Sequence, residues 1–326
     1  MRLFFLGCLC ALFFITSSAV AGEQDHSFRF EGYKRHFVVY TPPLYTGKQK
    51  MPVVMVLHGG GGSIESSRRV GMEAVADKYG FIVVYPEGTG KGRFHVWNSG
   101  QCCGKAQEEN VNDIGYFEQL IEILKTHYAV DHKRIYSTGL SNGAQMSYRL
   151  SCELSDKIAA IAPIAAQTAM EDCKPKRAVP TLHFHGTEDK CARYYGGEAC
   201  GGCFADVFRS FGIPMKRVVW ACPPVEETIE ARVKAYRCDA DGAVYYKSGD
   251  VTCTRWQGCE NDVNVELCTV YGGGHTWPGV KKSVQACDKR PDGKLCKRWS
   301  EMIGKTTHNI DANEAMWAFF SRFSLK

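Results

Sequence analysis

Residues 135–150 read IYSTGLSNGAQMSYRL. The run up to Gly139 has the β-branched, apolar character of a buried strand, and the run from Gly143 has the character of a helix, so Ser141 stands where one turns into the other. On such a sharp turn the central residue is held in a strained backbone conformation. Its neighbours two positions away on either side must then lack side chains that would collide, and Gly139 and Gly143 meet that need. The turn also aims a helix N-terminus at the serine. Its partial positive charge favours an oxyanion, and the N–H of Asn142 is one candidate donor. Ser141 is therefore the candidate nucleophile.

Outward from this turn, apolar runs bounded by Gly and Pro alternate with helical patterns. FVVY (37–40), PVVMVLHG (52–59), FIVVYPEG (81–88), AAIAPIAA (159–166), PTLHFHG (180–186) and VELCTVYG (265–272) suit strands buried on both faces. Residues 66–79 are predicted to be helical. A second starts at Asp113, with Ile114, Phe117, Ile121 and Leu124 at helical spacing and Asn112 or Asn110 as cap. Asp311 and Glu314 form a capping-box pattern that opens a last amphipathic helix. Strands separated by helices imply parallel pairing with right-handed crossovers, hence an α/β fold: a mostly parallel sheet with helices on both faces. Sites in such sheets form where the strands end.

At those ends lie the remaining candidates. His58-Gly59-Gly60-Gly61-Gly62 comes directly after a buried strand, and its glycines let backbone N–H groups face a substrate; Gly60 is the first choice of oxyanion donor and Gly61 the second. This run lacks the lysine of a phosphate-binding loop and the spacing of a dinucleotide fingerprint. A serine hydroxyl needs a base, and the base an acid to orient it. Asp189, in HGTEDK beyond a strand, is the candidate acid, with Glu188 and Asp206 as rivals. His275, after three glycines beyond the last strand, is the candidate base, with His185 and His308 as competitors. Trp97 and Trp277 are candidate substrate contacts, because aromatic rings beside the site could pack on a phenolic acyl group or a sugar face.

The 326-residue chain is 44% hydrophobic, enough for a full-sized core. Its net charge is +5, without a basic block, so no nucleic-acid partner is expected. Arg2, the apolar run Leu3–Ile15 and Ala19-Val20-Ala21 have the layout of a secretory signal peptide over residues 1–21. Residues 22–326 read as a single catalytic domain, with no membrane contact after signal removal. Of 16 cysteines, all but Cys8 and Cys10 lie beyond this leader, which in an exported chain reads as disulfides. Cys200-Gly-Gly-Cys203 has the spacing of a redox pair or half a zinc site, but no second such pair accompanies it. Cys287 and Cys296 bracket a loop that a bridge could close.

LHGGGG, VWNSGQCCG with NDIGYF, GLSNGAQMSYRL, HGTED, GGGHTWPG and DANEAMWAFF, in this order between about residues 33 and 323, resemble the secreted esterases grouped with polyhydroxybutyrate depolymerases and feruloyl esterases. The resemblance implies an α/β-hydrolase fold that cleaves carboxylic esters without metal or organic cofactor, with Ser141 as nucleophile, Asp189 as acid and His275 as base. The substrate it implies is a plant cell-wall ester or a hydroxyalkanoate oligomer, and the location extracellular or periplasmic. With the sequence ending three residues after Phe323, no granule-binding domain is expected. Two cysteine-rich extensions, around 191–224 and 281–300, depart from the family pattern; they are expected either to wall the pocket or to stabilise the surface. A peptidase and a catalytically silent binding protein are the alternative functions. Oligomeric state is not legible in the sequence.

Overall fold

The structure, a computed structural model, describes residues 21–280 and 290–326. Along the chain run the strands β1 (Gly22–Phe30), β2 (Tyr33–Thr41), β3 (Met51–Leu57), β4 (Ile82–Pro86), β5 (Thr89–Lys91), β6 (Phe94–Val96), β7 (Val130–Leu140), β8 (Ala160–Ile164), β9 (Thr181–Gly186), β10 (Gly197–Gly201), β11 (Val219–Cys222), β12 (Ala243–Ser248), β13 (Val251–Trp256) and β14 (Val265–Val270). The helices are α1 (Ile64–Arg68), α2 (Met72–Tyr79), α3 (Gly104–Glu108), α4 (Asp113–His127), α5 (Asn142–Glu153), α6 (Cys203–Arg209), α7 (Val225–Ala235), α8 (Lys294–Ile303) and α9 (Ala312–Phe320).

Ten strands make one sheet in the order β1-β2-β4-β3-β7-β8-β9-β14-β13-β12. The six from β4 to β14 are parallel, and the pairs β1-β2 and β13-β12 extend it antiparallel at either edge. Strands β3, β4, β8, β9 and β14 are buried at every position, as their unbroken apolar runs predict. Alternation sorts their side chains between two cores. Val54 and Val56 face α2 and α9, whereas Val53, Met55 and Leu57 face α4 and α5. This is the α/β-hydrolase architecture, with helices on both faces of the sheet.

Three expectations need correction. Residues 66–79 are not helical throughout: Gly71, at φ 76°, turns the chain between α1 and α2. The α4 cap is Asn112, whose side chain accepts from Gly115 N–H at 2.9 Å, not Asn110. Asp311 caps α9 by accepting from Asn313 and Glu314 N–H, but the Glu314 side chain turns away to Lys78 and Tyr79 rather than closing a capping box.

Six disulfides lie among the described residues: Cys102–Cys103, Cys152–Cys173, Cys191–Cys203, Cys200–Cys222, Cys238–Cys259 and Cys253–Cys268. Cys200 and Cys203 have different partners, so the CxxC spacing is neither a redox pair nor half a zinc site. Cys287 lies outside the described residues, as do most of the expected leader and part of the second extension. Among the described residues no helix is long and apolar enough to cross a membrane.

Parallel direction has one consequence for the site. The loops after β3, β7, β9 and β14 all leave the sheet at the same rim, and these loops carry His58–Gly62, Ser141, Asp189 and His275.

Candidate active site

Ser141 takes φ 58° and ψ −122°, a region that costs a non-glycine residue roughly 1–3 kcal/mol. The surroundings hold it there. Its N–H donates to the Ile164 carbonyl at 2.9 Å, and its own carbonyl accepts from Gln145 N–H at 3.0 Å as α5 begins. The flanking glycines are required by the strand next door as much as by the turn. A Cβ on Gly143 would lie 2.4 Å from the Leu57 carbonyl oxygen at the end of β3, and one on Gly139 2.7 Å from the same atom.

The glycine loop after β3 sits directly against this elbow. A Cβ built on Gly59 would stand 3.5 Å from Ser141 Cβ, and one on Gly60 3.5 Å from Asn142 Cβ. The N–H of Gly61 donates to His95 carbonyl and that of Gly62 to Gly59 carbonyl. Gly61 is thereby occupied, whereas the Gly60 N–H makes no such bond among the described residues. The Asn142 N–H begins α5, where a helix cannot satisfy its own donors. Its side chain clamps the 97–99 segment: Oδ1 accepts from Trp97 N–H at 2.7 Å, and Nδ2 donates to Trp97 carbonyl and Ser99 Oγ, each at 3.1 Å.

Across the rim, His275 Nδ1 donates to Asp189 Oδ2 at 2.7 Å. The other carboxylate oxygen accepts from Cys191 and Ala192 N–H at 2.7 and 2.8 Å. Burial by itself would raise the Asp189 pKa, but the charge of His275 and the hydrogen bonds from His185 and His275 outweigh it and hold the group below the ordinary carboxylate range. The carboxylate therefore stays ionised and fixes the proton of His275 on Nδ1, leaving Nε2 as the basic nitrogen. Of the rivals, Glu188 is exposed, Asp206 pairs with Arg217, and His185 lies buried behind Asp189. The glycines before His275 serve close approach. A Cβ on Gly274 would come 1.9 Å from the Ile303 carbonyl, and one on Gly186 2.2 Å from the Gly273 carbonyl. The 303–305 segment grips the loop from outside, with Ile303 and Lys305 carbonyls accepting from His275 and Gly274 N–H.

The two tryptophans are not where a substrate could touch them. Trp97 is fully buried; its indole stacks on His58 at 4.8 Å and donates to the His58 carbonyl at 3.0 Å, supporting the glycine loop from beneath. Trp277 is buried against α9, with Nε1 donating to Asn313 Oδ1 at 3.0 Å. Each chain segment turns inward after leaving the rim, so the rings join the core. His58 itself is locked neutral. Nδ1 donates to Gly59 carbonyl, Nε2 accepts from Gly88 N–H, and burial, opposed by the Gly59 bond and assisted by His95, drives its pKa down to about 3.

Sequence reasoning missed the supports. Asp113 accepts from Arg35 at 2.7 Å and from Asn98 N–H at 2.8 Å, a buried pair that anchors the 97–99 segment to the sheet. It also missed His183 as a partner of His185; the available signal was their HxH spacing, which puts both on one face of a strand. Asp189, Cys191 and His275 bring three possible metal-ligating atoms within 4.8 Å of one another. They do not suit a metal: Cys191 sulfur is bonded to Cys203, and both Asp189 oxygens already accept N–H groups. A groove of about 450 Å³ runs along the acid loop past Glu188, Lys190, Arg193 and Tyr195; Ser141 and His275 do not line it.

Comparison with known proteins agrees with this layout. Residues 35–173 match the family described as Esterase PHB depolymerase. The chain is 30% identical over 253 residues to feruloyl esterase B of Piromyces equi, covering 74% of this chain and 42% of that protein. It is 24% identical over 239 residues to poly(3-hydroxyalkanoate) depolymerase C of Paucimonas lemoignei, covering 70% of this chain and 55% of that one. The chain thus spans about half the length of these relatives. The acetyl xylan esterase from Aspergillus awamori superposes with a TM-score of 0.55 at 12% identity, over 82% of this chain and 98% of its own, a likeness of fold. Elbow, glycine loop and matched region agree with one another: over residues 35–173 the chain resembles the Esterase PHB depolymerase family, on an α/β-hydrolase fold.

Proposed function

We propose that the protein is a secreted serine esterase that hydrolyses carboxylic esters through an acyl-enzyme on Ser141. The observation that carries this reading is the Asp189–His275 hydrogen bond at the same rim as a serine held at φ 58°. His275 Nε2 takes the Ser141 proton as the hydroxyl attacks the ester carbonyl. Asp189 steadies the imidazolium, and the N–H groups of Gly60 and Asn142 receive the charge on the tetrahedral oxygen. His275 then protonates the leaving alcohol, and water repeats the sequence to release the acid. The proposed substrate class is a plant cell-wall ester such as a ferulate, or a soluble hydroxyalkanoate oligomer. Support comes from the named activities of the relatives.

The leader, the disulfides and a single catalytic domain over 22–326 fit export. In this reading the first cysteine-rich extension walls the pocket. Its helix α6 packs on α8, whose last carbonyl holds His275. Phe208 of α6 also meets Phe94 edge-on at 6.3 Å, next to the His95 carbonyl that holds Gly61. The extension thus reaches from the oxyanion side of the rim to the base side.

A fluorophosphonate probe tests the chemistry: it is expected to label the wild type and not Ser141→Ala. Labelling of both would end the proposal. Hydrolysis of methyl ferulate, acetylated xylan and hydroxybutyrate oligomers then ranks the substrate classes.

A further inference from the structure

Behind the acid runs a buried line of polar side chains that acyl transfer at Ser141 does not use. Tyr148 Oη lies 2.8 Å from His183 Nδ1, His183 Nε2 lies 2.9 Å from His185 Nδ1, and His185 Nε2 lies 2.6 Å from the Ala192 carbonyl and 3.3 Å from Asp189 Oδ2. All three side chains are buried. Their protons can be assigned from one fixed end. A carbonyl only accepts, so His185 Nε2 carries a proton; Nδ1 of the neutral ring then accepts from His183 Nε2–H, and His183 Nδ1 accepts from the Tyr148 hydroxyl. Every ring nitrogen is satisfied with both imidazoles neutral. Burial, His185 and the Arg232 guanidinium all push the His183 pKa down, which agrees with that assignment.

We propose that His185, backed by His183 and Tyr148, is a positioning residue that fixes the Asp189 carboxylate for His275 by tying it to the Ala192 carbonyl. The inference rests on Ser141, His275 and Asp189 acting as a triad. Two features of the arrangement carry it. His185 Nε2 reaches the same carboxylate oxygen that accepts from His275, so it competes for that oxygen's electron density and limits its basicity. It also closes the acid loop on itself, because Ala192 donates its N–H to Asp189 Oδ1 while its carbonyl receives His185. Around this line stand the charged and titratable groups Arg232 from α7, whose Cζ lies 4.6 Å over the Tyr148 ring, Tyr194 edge-on to His185 at 5.8 Å, Asp189 and His275. A residue that merely filled the core would need neither donor nor acceptor there.

The test measures kcat, KM and the pH profile of ester hydrolysis for His185→Phe, His185→Gln and Tyr148→Phe, with Asp189→Asn as reference. His185→Phe removes the donor and is expected to lower kcat about tenfold at unchanged KM. It should also move the acid limb to higher pH, since a carboxylate that no longer faces the His185 N–H at 3.3 Å holds the imidazolium more firmly. His185→Gln offers an amide N–H near the lost Nε2 and should recover most of the rate. Tyr148→Phe, one link further back, should shift the limb in the same direction by less. A His185→Phe enzyme with wild-type kcat and acid limb overturns the proposal. If that variant does not fold, a Tyr148→Phe profile identical to wild type does so instead. Full activity in Asp189→Asn would be a different failure, because it removes the acid and with it the triad on which this inference rests.

Discussion

On the elbow side of the rim, Gly143 would put a Cβ 2.4 Å from the Leu57 oxygen, and Gly59 and Gly60 lie against Ser141 and Asn142 with no charged group between them. On the other side, one carboxylate with no exposed side-chain surface accepts from Cys191, Ala192 and His275 and lies 3.3 Å from His185. The first half is held by the exclusion of side chains and the second by charge and proton direction. The two should therefore fail in different ways: the elbow when volume is added, whatever the pH, and the acid–base half when charge is removed at constant volume.

The largest effect expected is from Gly143→Ala. Backbone must move to admit the methyl, so loss of soluble protein or of all hydrolysis is predicted, and normal expression with normal turnover would refute the steric account. Asp189→Asn keeps the volume and should lower kcat about 10⁴-fold, because the wrong His275 tautomer is then favoured, and should also lower the melting temperature, because the buried carboxylate is stabilised in its ionised form; thermal unfolding and steady-state kinetics on the same preparation separate the two quantities. Asn142→Ala keeps the backbone donor but frees the 97–99 segment, and a fall in kcat of about tenfold is expected, with KM rising if that segment also contacts substrate.

The smallest effect concerns stability in acid. His58 in the folded chain takes a proton only near pH 3, whereas in the unfolded chain it does so near its ordinary value of 6.5. The unfolded state thus binds more protons between these values. The contribution is complete above pH 6.5 and is lost as pH falls toward 3, on the order of a few kcal/mol across the window. Urea unfolding at pH 7 and pH 4.5 should show the loss, and it should be smaller in His58→Gln. An equal loss in both would assign acid sensitivity elsewhere, with buried His183 the next group to test.

Much of the molecule is legible from local pattern. The central strands announce themselves as unbroken apolar runs because both of their faces are covered, whereas β1, which alternates between half-buried and exposed, and the hairpin β12-β13 at the far edge give no such signal. The break at Gly71 is invisible to apolar spacing, which continues across it. The two tryptophans mislead for a related reason: position along the chain shows that Trp97 and Trp277 come after strand ends but not which way the chain turns next.

By itself the sequence determined that a strand-to-helix elbow forms around Ser141, that the central strands run parallel, and that Asp189 and His275, the candidate acid and base, come after Ser141 in order at one rim. These depend on sterics and periodicity within a few residues, which any window of the chain displays. The tertiary structure alone decided that Gly60 rather than Gly61 retains its N–H, which cysteines pair, that both indoles face the core, and that two histidines stand behind Asp189. Each of those is a contact between separated parts of the chain, where what matters is which backbone groups and side chains compete for the same space or the same proton.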